Sequence, residues 1–241
     1  DYVPEIRREL ALFQRWAKKN ERRYREILEA YQLRFVQHSL NLEGNPITLP
    51  ETVKLLQQKI VPGALSLEMV EEVRQYQRAM QAVFRDALAR RQLTLQTILN
   101  YHFLAMLHRP DIAGKIRTVP VFIKNNPAFK VAPVSEIKPK LEKLLQAYKV
   151  FLQKKHPLRN VFTFASYFHN EFQHIHPFVD GNSRTVRLLT FHFLLSSGIP
   201  TVDIPLGLLE EYLSCTKGSR KREDRRLDAV LQQLVLYNVK L

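Results

Sequence analysis

Segment 174–187, HIHPFVDGNSRTVR, holds the densest concentration of reactive side chains in the chain and lies between two apolar-periodic stretches. Gly181, Asn182 and Ser183 read as a compact turn leading into a helix that begins near Arg184. Backbone N–H groups at such a helix start, aided by the helix dipole, attract phosphate oxygens. Arg184 and Arg187 are three positions apart, so they share one face of the first helical turn and can reach the same polyphosphate. Asp180, just before the turn, is a hard oxygen ligand where a Mg²⁺ bridging two phosphates needs a carboxylate. His176, four residues ahead of Asp180, carries an imidazole that takes a proton from an attacking hydroxyl at neutral pH. Pro177 and Phe178 read as a rigid turn and a buried anchor. Base, metal ligand and phosphate cradle thus fall within one short segment.

Taken singly, these residues have plainer explanations. His156, His169 and His174 suit surface or core positions, an arginine pair suits a solvated face, and a DGN turn before a helix suits a cap. Their conjunction is what points to a site. The pattern His176-Pro177-Phe178-x-Asp180-Gly181-Asn182-x-Arg184-x-x-Arg187 resembles the signature of the Fic family, HPFx(D/E)GNGRxxR, and departs from it at Ser183, where most members have glycine. Serine is costly there only if the position needs a positive φ or a very close approach to phosphate. With an ordinary φ it adds a hydroxyl donor and can cap the helix, and that reading is preferred.

The resemblance covers residues 39–215. Gly114-Lys115-Ile116-Arg117 and the stretch after it resemble the family's target-binding flap, and His156-Pro157 match the start of the helix before the core. Tyr212 lies where relatives place an aromatic near the adenine. The resemblance implies a protein adenylyltransferase that moves AMP from ATP, with Mg²⁺, onto a Ser, Thr or Tyr hydroxyl of a target protein, self-modification included. His176 would be the base and Asp180 the metal ligand. Gly181, Asn182 and Ser183 would hold the α-phosphate, and Arg184 and Arg187 the outer phosphates. Ile123, Lys124, Asn125 and Asn126 of the flap would pair with the target and line the nucleotide pocket.

A second match lies far upstream. Ser39-Leu40-Asn41-Leu42-Glu43-Gly44 resembles the family's inhibitory motif, (S/T)xxxE(G/N), at the end of a helix spanning about 30–44. Alone it reads as a helix C-terminus stopped by Gly44. Before a Fic signature it implies that Glu43 forms a bidentate pair with Arg187 in the place of the γ-phosphate, with Ser39 and Gly44 completing the motif.

The elements that must position these groups are helices. Only seven glycines, and long runs rich in Leu, Gln, Arg, Glu and Ala, predict a mainly α fold. Helical periodicity covers 4–40 with a break near Asn20, then 49–60, 66–90, 94–107, 134–153, 158–173, 184–197, 206–214 and 225–239. Thr48, Ser66 and Ser135 precede helix starts. Segment 116–131 alternates before the turn-prone Lys124-Asn125-Asn126-Pro127 and predicts a small β-hairpin, suited to a flap that binds an extended peptide. The expected architecture is a Fic-type helical bundle with that hairpin flap. It divides into an N-terminal helical region (1–110), a catalytic core (111–215) and a C-terminal basic segment with a helix (216–241).

The 241 residues, 45% hydrophobic, suffice for a sizeable core. Cys215 stands alone, which excludes an intrachain disulfide and a thiolate metal cluster. The absence of a long apolar run and of a signal-like start predicts a cytoplasmic protein without membrane contact. A net charge of +14 calls for a polyanionic partner, but the dense basic run 217–226 lacks interleaved aromatics and reads as a solvated linker or helix start, making nucleic acid a poor match. Two rival functions stand beside AMP transfer. One is removal of AMP, or transfer of another nucleotide, on the same site; the absence of lysine at position 183 argues against the phosphate-transferring branch. The other is a basic, DNA-binding helical regulator with a vestigial Fic site. A homodimer through 66–90 is also compatible with the pattern.

Overall fold

Among the described residues, ten α-helices carry the fold. In chain order they are α1 (Val3–Lys19), α2 (Glu21–Asn41), α3 (Leu49–Leu56), α4 (Leu67–Leu88), α5 (Leu95–Ala105), α6 (Ile137–Leu152), α7 (Leu158–Ile175), α8 (Asn182–Ser196), α9 (Leu209–Ser214) and α10 (Asp224–Val239). Short 3₁₀ turns precede α6 (Val134–Glu136) and α9 (Leu206–Leu208). This computed structural model describes every residue except Asn125, Thr201, Val202 and Leu241, and the backbone alone of Leu206.

Local chemistry explains most boundaries. Asn20 separates α1 from α2 and ties its side chain to the Trp16 carbonyl at 2.9 Å. Thr48 and Glu51 form a reciprocal capping box on α3, and the Ser66 hydroxyl accepts the Met69 N–H at the start of α4. Ser135 does not cap α6, because the 3₁₀ turn shifts the cap position to Glu136.

Helix α8 is the axis of the molecule. Residues 181–195 are all buried, as a helix flanked on every side must be. It packs against α4, α5, α7 and α2, while α10 covers the other side of α7 and meets α1. The apolar face of α4, with Val70, Val73, Tyr76, Met80 and Val83, belongs to this core. One cluster of buried side chains runs from Val3 to Val239. Each large member, such as Phe172 or Phe178, stabilises the fold by roughly 1.5–3 kcal/mol.

The predicted β-hairpin is not formed: among the described residues of 116–131 there is no strand. Arg117 supplies the reason. Its buried guanidinium donates to the carbonyls of His176 (2.7 Å), Val119 (3.0 Å) and Ala132, and its backbone N–H donates to Pro177 O (2.9 Å). Pro120, Pro127 and Pro133 offer no donor for a ladder. The segment is therefore an irregular loop, fastened by one side chain to the turn after α7.

Candidate active site

Helix α7 ends at Ile175 because His176 adopts the left-handed conformation (φ 49°, ψ 60°) and Pro177 has no N–H to continue the helix. Such a conformation is costly for a residue with a Cβ. Here it swings the imidazole into a cleft of about 480 Å³. The His176 Nδ1–H donates to the Gln173 carbonyl at 3.1 Å, which leaves the lone pair on Nε2. Burial pushes the ring's pKa down to about 4, so it is neutral at pH 7.

The loop from Phe178 to Asn182 closes on itself. The Asn182 side chain accepts the Phe178 N–H (2.9 Å) and donates to the Phe178 carbonyl (2.8 Å), so both ends of its amide are engaged. His102 of α5, absent from the sequence-based set, tacks the loop down. It stacks on Phe178 with ring centroids 3.6 Å apart, accepts the Gly114 N–H on Nδ1 (2.8 Å) and donates from Nε2 to the Asp180 carbonyl (2.9 Å). Gly181 has φ 76° and sits tight against α5: an added Cβ would lie 2.7 Å from the Met106 sulfur.

Helix α8 begins at Asn182, two residues earlier than the turn reading implied, with Gly181 in the cap position. Ser183 is therefore helical with an ordinary φ, and the glycine at this position in the signature answers no conformational need here. Its hydroxyl makes no cap; it accepts from Gln173 Nε2 at 3.2 Å. The N–H groups of Asn182, Ser183 and Arg184 have no partner among the described residues and open the helix toward the cleft wall. Asp180 stands on the rim, its side chain 54% exposed, with Oδ1 accepting the Gly181 N–H at 2.6 Å.

The two arginines diverge. Arg184, with a buried side chain, pairs with Glu72 of α4 and lies 3.4 Å from Asp180. Glu72 also accepts from Asn45 at 2.8 Å, just past the upstream motif. Arg187 turns to the end of α2, where Nε donates to Ser39 Oγ (2.6 Å) and Nη2 to the Ser39 carbonyl (2.9 Å) and Glu43 Oε1 (2.8 Å). The expected bidentate pair is thus a single contact to Glu43, because Ser39 occupies the other edge of the guanidinium, and Arg187 Nη1 is buried without a partner among the described residues. Gly44 follows with φ 91° and ends the motif. The second Glu43 oxygen meets Lys217 Nζ at 3.2 Å. Burial alone would raise the Glu43 carboxyl, but Arg187, Lys217 and Arg184 outweigh it and hold the pKa at about 2. Glu43 lines the cleft, so its charge stands between the cleft and the buried Arg187.

From the loop opposite, Ile123, Lys124 and Asn126 line the cleft, while Asn125 lies outside the described residues. Tyr212 does not reach it. Helix α9 turns that ring inward, where its hydroxyl meets His169 Nε2 at 2.7 Å, and Leu213 takes the cleft-facing position. The basic run expected to be a solvated linker instead contributes Lys217, Gly218 and Arg220 to the cleft. Lys217 carried no local signal; His102 carried one, a lone histidine in an apolar helix.

Residues 92–194 match the Fic/DOC family. The chain is 34% identical over 184 residues to the protein adenylyltransferase Fic of Nematostella vectensis, covering 75% of this chain and 41% of that one. To the protein adenylyltransferase Fic of Drosophila persimilis it is 30% identical over 179 residues, covering 73% of this chain and 34% of that one. It therefore spans between a third and about two fifths of the length of these curated relatives. A Fic-domain signalling protein of Bacteroides thetaiotaomicron shares the fold, with a TM-score of 0.85 at 21% identity, covering 99% of this chain and 94% of that one.

Proposed function

We propose, from the match of residues 92–194 to the Fic/DOC family, that the protein is an autoinhibited adenylyltransferase, moving AMP from ATP to a hydroxyl of a target protein. The observation that carries this reading is the seat of Glu43: a carboxylate from the turn after α2 lies between Arg187 and Lys217, in the same cleft as His176, Asp180 and the open end of α8. A site that holds a carboxylate against paired cations suits phosphate oxygens equally well.

In the reaction, the target oxygen bonds to the α-phosphorus, the bond to pyrophosphate breaks, and the hydroxyl proton passes to His176 Nε2. The Gln173 carbonyl keeps that tautomer in place. Arrival of a negatively charged triphosphate raises the basicity of a ring that burial has depressed. The amides of Asn182, Ser183 and Arg184 meet growing charge on the α-phosphate, while the arginines hold the outer phosphates once Glu43 moves aside. Asp180, a half-exposed hard oxygen donor at the cleft rim, would hold a Mg²⁺ that arrives with the nucleotide. When bound, it neutralises phosphate charge.

The test is transfer of label from α-labelled ATP to the protein itself or to lysate proteins. Glu43→Gly is expected to raise labelling at least about tenfold, the equivalent of roughly 1.4 kcal/mol of occlusion removed. Adding His176→Ala is expected to lower the labelling by Glu43→Gly about 10²-fold or more. Glu43→Gly labelling no faster than wild type would overturn the autoinhibited reading, and label that survives His176→Ala would overturn the assignment of the base.

A further inference from the structure

We infer that Lys217 is a triphosphate-binding residue of this site, held out of use by Glu43 in the inhibited state. The inference rests on the adenylyltransferase reading and extends it to a residue outside the signature.

The ammonium of Lys217 lies 3.2 and 3.5 Å from the two Glu43 oxygens, and Arg187 lies 2.8 Å from one of them. One carboxylate therefore neutralises two cations, Lys217 in the cleft lining and Arg187 buried behind it. The Lys217 side chain is 27% exposed, between the sealed Arg187 (2%) and the solvated Lys221 (83%). Its charge also reaches His176, contributing, after burial and Arg117, to the depressed pKa of that ring. A cation that acts on both the inhibitory carboxylate and the candidate base stands where a phosphate chain between them would pass.

The backbone beneath Lys217 is built to hold it there. Asn126 of the loop across the cleft donates to the carbonyls of Lys217 (2.9 Å) and Ser219 (2.8 Å). Gly218 N–H donates to Leu213 O at 2.9 Å, and Thr216 Oγ1 donates to Tyr212 O at 2.8 Å. Tyr212 is in turn anchored on His169. The lysine is thus tethered at its root from both sides, and only its flexible stem is free to change partners.

Charge supplies the rest. With Glu43 seated, the cleft lining carries Lys124, Lys217 and Arg220 against Glu43 and Asp180. With Glu43 withdrawn, Asp180 is the one carboxylate left in that lining, and Arg187 is opened behind it. That excess of positive charge matches a nucleoside triphosphate rather than a monophosphate. Lys217 then exchanges a carboxylate for a phosphate oxygen, with its charge compensated in both states, and its contribution falls on the outer phosphates rather than on the base.

The experiment is calorimetric binding of ATP and of AMP, with Mg²⁺, to the double variant Glu43→Gly, His176→Ala, which cannot turn over. Adding Lys217→Ala is expected to weaken ATP binding about tenfold, the usual worth of one hydrogen bond to a charged group, and AMP binding less than twofold to threefold. Lys217→Arg, which keeps the charge, is expected to retain most of the ATP affinity, and circular dichroism of each variant verifies its fold. Equal ATP affinity with and without Lys217, or an equal loss for ATP and AMP, would overturn the inference. Should the parent double variant bind no ATP at all, the adenylyltransferase reading fails first and takes the inference with it.

Discussion

Gly181 turns with φ 76°, and its α-hydrogen points at Met106 and His102, which a Cβ would approach to 2.7 and 3.1 Å. Relief requires either the Met106 side chain to move or the loop to leave α5, and the left-handed backbone penalises any side chain in addition. Gly181→Ala is therefore expected to cost about 1–3 kcal/mol, seen as a lower thermal midpoint, and to lower labelling in the Glu43→Gly background. An unchanged midpoint would mean that the loop yields easily and that its tight seat is not needed. Glu43 behaves in the opposite sense. Its removal leaves Arg187 buried beside Ser39 alone, so the variant that opens the cleft should also melt at a lower temperature.

The loop between α5 and α6 shows why alternation alone does not make a strand. A two-stranded ribbon needs donors along both chains, and Pro120, Pro127 and Pro133 remove three of them. Arg117 substitutes its own fork, binding the carbonyls of His176, Val119 and Ala132. The same side chain thus holds the loop and the left-handed turn at His176. Arg117→Ala leaves three carbonyls without that donor, a loss of order 3 kcal/mol if all stay buried. Hydrogen exchange should then speed up across 116–133 and at Phe178, while the core of α8 keeps its protection. Protection unchanged in the loop would show that Asn126 and the packing of Phe129 suffice to hold it.

Over the whole molecule, acid acts through histidines that the fold keeps neutral. Burial lowers His102, His176 and His192 to about 4 and His169 to about 3. In the unfolded chain such groups titrate near 6.5. Between those values the unfolded state binds more protons, so stability falls as pH decreases from about 6.5 toward 4. Glu43, held at about 2 against an ordinary 4.5, adds a second loss below pH 4.5. The net charge of +14 grows in the same direction and adds self-repulsion. The thermal midpoint should be nearly level from pH 8 to 7 and decline steadily below about 6.5. A midpoint that holds to pH 4.5 would show that these rings are accessible to solvent in the folded state. No described helix is long and apolar enough to cross a membrane.

The helical class, and the gathering of His176, Asp180 and the start of α8 within segment 174–187, were legible in the sequence. Both are local: the period of apolar residues declares a helix, and a loop that brings an imidazole, a carboxylate and helix amides together concentrates them in a few positions. The sequence also placed Ser39, Glu43 and Gly44 as a unit, since they span little more than one turn. Contacts between distant stretches depended on how the helices pack. His102 and Asp180 are 78 positions apart, Arg117 and His176 are 59, and Glu43 and Lys217 are 174. No spacing rule joins such pairs. Burying the faces of α4, α7 and α8 against one another brings the end of α2 and the turn after α9 to the same cleft. Only there does a lysine from a basic run become a partner of the Glu43 carboxylate, and an alternating stretch become a loop held by one arginine.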